Sequence, residues 1–219
     1  NNILANATFW TQNDETLFNP YLSTIKNEFL KDNIEFEELL VPTNGNGNFT
    51  RLYVFYDLLM NYYYLVDALK ERLFKSHDRH RVDARLVDEF LKERNFTQTG
   101  HFINLIFKGL VEHDIKINLF NSLFKTVKPR LVWEYCYYES SVMALNKACY
   151  NLNIRTVEYQ HSQQSDEHFA YAKWNYMPAY EPSFPKIFWV WSKDNGDTVL
   201  KNFVGQKRLI EVMNGGNLA

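Results

Sequence analysis

The stretch Pro129–Ser162, PRLVWEYCYYESSVMALNKACYNLNIRTVEYQHS, decides the fold. An apolar run from Arg130 to Tyr137 precedes a stretch of helical periodicity from Ser140 to Leu152, and a second apolar run spans Ile154 to Tyr159. Two short β-rich runs joined by an amphipathic helix form a right-handed βαβ unit with parallel strands. Ligands of open parallel sheets bind outside the carboxyl ends of the strands. Both ends here are polar: Glu139-Ser140-Ser141 follows the first strand and Gln160-His161-Ser162 follows the second. Chemistry is expected there.

Upstream, Asn2–Trp10 reads as a first strand, and Asn19-Pro20 introduces a helix with Tyr21, Ile25, Phe29 and Leu30 on one face. Phe36–Val41 reads as a second strand, closed by the turn-rich PTNGNG of residues 42–47. Asn48 or Thr50 caps the next helix, whose Leu52, Phe55, Leu59, Tyr62, Val66, Leu69 and Leu73 recur at helical spacing. Its Tyr62-Tyr63-Tyr64 run reads as part of a core-facing stripe, with a sugar-stacking platform as the alternative. Helices over Asp83–Arg94 and His101–Thr126 follow, the second broken near His113-Asp114. Downstream, Lys186–Trp191 is a buried strand, Ser192 caps a short helix over Asp194–Phe203, and Arg208–Met213 is a last strand running into Asn214-Gly215-Gly216-Asn217. Alternating signals of this kind specify an α/β fold. The expectation is a Rossmann-like, mainly parallel twisted sheet with helices on both faces and an inserted helical block. That domain spans 1–205, with the block at 48–126, and 206–219 begins a linker or second domain.

Composition narrows the function classes. A hydrophobic fraction of 46% in 219 residues supports a real core. The net charge of −2 gives no electrostatic preference for nucleic acid. The two cysteines, Cys136 and Cys149, read as small buried apolar residues of a reducing compartment. No stretch approaches the roughly 20 apolar residues of a membrane span, and no secretory signal is visible. The sequence begins NNILANATFW without an initiator Met and is read as a piece of a longer protein. The sequons at Asn6, Asn48 and Asn95 are expected to be inert. The basic run Lys75–Arg81 either meets phosphate groups, on a nucleotide or an acidic membrane, or is a solvated loop between helices.

Several chemistries lack their motifs. There is no Gly-X-Ser-X-Gly elbow, no Walker A loop and no G-X-G-X-X-G after a strand. His161 and His168, with Asp166 and Glu167 between them, lack the spacing of a recognised metal site, so no metal is expected.

The run Pro129–Tyr171 resembles the N-terminal half of bacterial GT-B glycosyltransferases that build surface polysaccharides of the capsule, lipopolysaccharide and teichoic-acid type. In that group a strand–helix–strand unit commonly ends in Gln-His-Gly, with a His and an aromatic residue a few positions on. The matching residues are Gln160-His161-Ser162, then His168 and Tyr171, with serine at 162 where the group has glycine. The resemblance implies the acceptor-side half of a two-domain enzyme that transfers a sugar from a nucleotide donor to a growing glycan or lipid-linked acceptor. It implies no cofactor, a C-terminal domain that these residues lack, and a cytoplasmic location with peripheral contact at the inner membrane. Gly215-Gly216 would then let backbone N–H groups approach a phosphate, or else begin a disordered tail. His161 and Glu139 are the candidate catalytic bases, while Gln160, Ser162, His168, Tyr171 and Ser140 would contact substrate. Glu139 serves equally well as a helix cap. The alternatives are a non-catalytic Rossmann-like module that binds a glycan or nucleotide, and a nucleotide-sugar epimerase.

Overall fold

The computed structural model describes residues 2–6, 11–13, 16–18, 23–39, 60–62, 64–66, 84–173, 182–203 and 210–217. The chain divides into two compact units, residues 1–46 with 119–219, and residues 47–118. The first unit is built on a six-stranded sheet, and every pairing in it is parallel. In chain order its strands are β1 (Asn2–Asn6), β4 (Glu35–Leu39), β5 (Leu131–Glu134), β6 (Arg155–Tyr159), β7 (Ile187–Val190) and β8 (Glu211–Asn214). A small hairpin, β2 (Thr11–Asn13) with β3 (Thr16–Phe18), stands apart from it. The spatial order is β4-β1-β5-β6-β7-β8. From β1 the chain steps one way to β4 and later returns to pair β5 on the other side. The strand order therefore reverses between β1 and β5, and such a reversal opens a crevice at the carboxyl ends of the strands.

Parallel strands covered on both faces carry near-continuous apolar runs, and here alternate residues serve opposite layers. Trp133, Val157, Tyr159 and Ile187 form one buried cluster with Ile25 of α1 (Ser23–Lys31). On the other face, Phe188 and Val190 pack with Val199 of the last helix, and Glu134 meets Asn146 of the helix between β5 and β6. That puts helices on both faces, as expected. The flanking helix between β5 and β6 spans Ser140–Asn151 and the last helix Lys193–Asn202. Ser192 caps the latter as its sequence position suggested, its hydroxyl accepting from the Asn195 amide.

In the second unit, α2 (Ala84–Glu93) leads to the start of α3 (Thr99–Val127), which continues into the first unit. Accordingly the remaining helices are α4 (Ser140–Asn151) and α5 (Lys193–Asn202). No break occurs at His113-Asp114; α3 runs unbroken for 29 residues. Residues 60–62 and 64–66 are helical, but Tyr62 is 60% exposed, which removes it from a core-facing stripe. Leu30, at 50% exposure, likewise leaves the buried face assigned to α1. The caps at Asn48 or Thr50, the turn at 42–47 and the basic run at 75–81 lie outside the described residues.

Three helices end by the same device. Asn33, Asn95 and Asn153 sit at φ values of 55°, 62° and 55° after α1, α2 and α4. In each case the next residue, Ile34, Phe96 or Ile154, donates its amide back to the carbonyl five positions earlier, on Phe29, Leu91 or Cys149. Asparagine tolerates the left-handed conformation, and the apolar residue after it seals the helix end.

β8 pairs with β7 in register Ile187–Glu211 to Val190–Asn214 and is the last strand of the sheet on that side among the described residues. Gly215 follows because nothing larger fits: a Cβ there would stand 1.9 Å from the Trp189 ring. The Trp189 indole N–H donates to the Gly216 carbonyl at 3.0 Å, and the Tyr159 hydroxyl donates to Asn217 at 2.8 Å. Gly215 is thus a close-packing position against a tryptophan, while Gly216 has open space around it and takes a positive φ of 78°.

Candidate functional site

The carboxyl ends of β5 and β6 are neighbours, with Glu134 opposite Glu158 in the parallel register. Beyond β5 the chain turns sharply at Cys136, a non-glycine residue at φ 58°, and the Glu139 amide closes the turn on the Cys136 carbonyl at 2.9 Å. The turn sends consecutive tyrosines to opposite sides. Tyr137 enters the core, its hydroxyl donating to the Ala170 carbonyl and its ring meeting Tyr171, Phe184, Phe188 and Phe203 edge-on. Tyr138 stays at the edge, with ring centres 6.5 Å from His161, 5.4 Å from His168 and 5.1 Å from Phe169.

His161 is half-buried at the tip of β6, and its Nε2 lies 3.2 Å from Cys136 Sγ. Burial holds the imidazole below its ordinary range, and nearby His168 pushes the same way against a hydrogen bond with the Tyr159 backbone. Burial pushes the Cys136 thiol up to about 12. Both partners are neutral near pH 7, so this is a thiol–imidazole contact and not a thiolate ion pair of the kind a nucleophilic cysteine needs. His168 accepts from the Ala170 amide at Nδ1, 3.2 Å away, and stacks on Phe169, which is 66% exposed. The loop that carries His168 is tied to α5: Asp166 accepts from Lys201 at 2.9 Å and from Asn202 at 2.7 Å. His161, His168, Tyr138 and Phe169 therefore form one aromatic and imidazole patch at the sheet edge. Glu139 occupies the N-cap position of α4 without a side-chain capping bond, so its carboxylate lies at a helix N-terminus, where negative charge is favoured.

Two residues expected to touch substrate are sealed instead. Gln160 is 1% exposed; its Oε1 accepts from the Trp191 amide at 2.8 Å and its Nε2 donates to the Ser162 carbonyl at 2.9 Å. It ties the ends of β6 and β7 together. Tyr171 is fully buried, and its hydroxyl donates to Glu158 Oε1 at 2.5 Å. Ser162 is half-buried at the edge, and Ser140 is exposed at the first position of α4.

Glu134 and Glu158 are what sequence reasoning missed. Both are fully buried on neighbouring strands. Asn146 donates to Glu134 Oε1 at 2.8 Å, and the second carboxyl oxygen of each glutamate has no partner among the described residues. Burial raises both carboxyls, Glu158 to about 8 and Glu134 well above the ordinary range, where the charge of Glu158 adds to the effect. The signal was available: an acid inside LVWE and another inside RTVEY interrupt strands that are covered on both faces. Among the described residues, no group of three or more His, Cys, Asp or Glu side chains is placed to hold a metal ion.

No family model, curated protein or solved structure matches the chain.

Proposed function

We propose that the chain is the acceptor-side half of a glycosyltransferase of bacterial surface-polysaccharide assembly, with the carboxyl edge of β5 and β6 as its acceptor site. The observation that carries this reading is His161, an imidazole whose charged form burial disfavours, held at the carboxyl tip of β6 near the rings of Tyr138, His168 and Phe169. An unprotonated imidazole can take the proton of an acceptor hydroxyl while that oxygen bonds the anomeric carbon and the nucleotide phosphate leaves. Aromatic faces suit the C–H faces of a sugar ring. Glu139 at the head of α4 is the second candidate base or acceptor-orienting group. In this reading the donor nucleotide is gripped mainly by a second domain beyond these residues.

The test is turnover by the full-length protein with a nucleotide sugar chosen by a thermal-shift panel. His161→Ala is expected to reduce turnover by a factor of about 100 or more, with little change in thermal stability. Wild-type turnover in that variant would remove His161 from the mechanism. The Cys136 contact at Nε2 favours a second reading, a non-catalytic glycan-binding edge, because an acceptor must first displace the thiol. Glycan binding without transfer to any nucleotide-sugar panel member would support it.

The reading carries a location, the cytoplasmic face of the inner membrane with peripheral contact. No helix among the described residues is long and apolar enough to cross a membrane. Exposed Leu86 and Phe90 on α2, and Leu105 and Ile106 on α3, are apolar groups that suit interfacial contact. Failure of the full-length protein to sediment with anionic vesicles at low salt would refute this location.

A further inference from the structure

A pocket of about 620 Å³ opens at the opposite edge of the sheet, at the amino ends of β6 and β7. It lies within the first unit and shares no residue with the His161 edge. Its size is that of a small-molecule site.

Asn146 of α4 lines it and is 1% exposed. Its Nδ2 is committed to Glu134, which fixes the orientation of the amide, and its Oδ1 has no partner among the described residues. A buried, unpaired amide oxygen costs about 1–3 kcal/mol, and a ligand hydroxyl would relieve that cost. Arg155, the first residue of β6, is exposed at the rim and forms no ion pair among the described residues. Lys186, also in the lining, is balanced by Glu211 at 3.4 Å. The uncompensated positive charge in the lining therefore belongs to Arg155. Phe184 and Tyr150 add aromatic surface, and Asn151 a further amide.

We propose that this pocket binds a sugar carrying one anionic group, its hydroxyl donating to Asn146 Oδ1 and its carboxylate or phosphate meeting Arg155. The buried acceptor calls for a hydroxyl donor, the aromatic surface suits a pyranose face, and the unbalanced guanidinium selects an anion. A neutral sugar leaves Arg155 unused, and an inorganic anion leaves the aromatic surface of Tyr150 and Phe184 uncovered. The site stands independently of the glycosyl-transfer reading.

Isothermal titration of the purified protein with glucuronate, glucose 6-phosphate, glucose and inorganic phosphate tests this. At least one of the two sugar anions is expected to bind with a Kd of about 1 mM or tighter, and glucose and phosphate about tenfold or more weaker. The tighter of the two sugar anions identifies carboxylate or phosphate as the preferred group. Arg155→Ala, at an exposed position, should keep the fold and weaken the sugar anion about tenfold or more. Asn146→Ala should weaken it too, but can also unsettle the core beside Glu134, so the Arg155 variant decides. Absence of binding by both sugar anions, glucose or phosphate binding as tightly as the better of them, or an unchanged Kd in Arg155→Ala would each overturn the proposal.

Discussion

Replacing Glu158 by Gln should make the protein more stable at alkaline pH and flatten its stability profile. Glu158 is fully buried on β6, in register with Glu134, and its neighbours on that face include the Tyr171 hydroxyl. Burial lifts its carboxyl from 4.5 to about 8, although hydrogen bonds from Tyr171 and from the Tyr137 backbone favour the charged form. The unfolded chain titrates near the ordinary carboxyl value, so the folded chain holds this proton more tightly. Folding then loses stability as pH rises. The loss begins as pH passes the ordinary value and grows by about 1.4 kcal/mol for each step of one pH unit. It is complete above about 8, the folded-state value, and amounts to about 5 kcal/mol in total. Below the ordinary value the term vanishes. Glu134 shifts in the same direction and steepens the same slope. Glutamine preserves the shape and the acceptor for Tyr171 but has no proton to release. Urea unfolding at about pH 5 and about pH 8.5, on either side of this window, measures the effect. The wild type should weaken at the higher pH, and Glu158→Gln should weaken much less and exceed it there. A variant with the wild-type slope, or one less stable than wild type at the higher pH, would refute the reasoning.

Two further substitutions test the packing around the site. Gly215→Ala would drive a methyl group into the Trp189 indole, with 1.9 Å available, and should destabilise the fold by about 1–3 kcal/mol in the same urea assay. Gln160→Leu removes the acceptor for the Trp191 amide and the donor to the Ser162 carbonyl, leaving two part-buried backbone groups without these partners. It should cost about 1–3 kcal/mol of stability, and because Gln160 is sealed from solvent, a thermal shift with ligand bound at the His161 edge should keep its wild-type size.

The alternation of strands and helices is legible along the chain, because hydrophobic periodicity is a local property. Pro129–Ser162 folds as the strand–helix–strand unit its pattern specifies, from β5 through α4 to β6, with His161 at the tip of the second strand. KIFWVW and the Ser192 cap are equally legible, since burial of a whole run and a hydroxyl before a helix need no distant partner. Tertiary structure decided which polar residues face outward. Gln160 and His161 are adjacent in sequence, yet Gln160 is sealed between β6 and β7 while His161 reaches the edge. Tyr137 and Tyr138 part in the same way at the Cys136 turn. Strand alternation says that such neighbours diverge; only the pairing with β7 and the packing of the His168 loop say which of them meets solvent. The same holds for Glu134 and Glu158, whose proximity exists only once β5 and β6 lie side by side in register. Gly215, too, is explained only by Trp189, some two dozen residues earlier in the chain but on the strand that β8 pairs with.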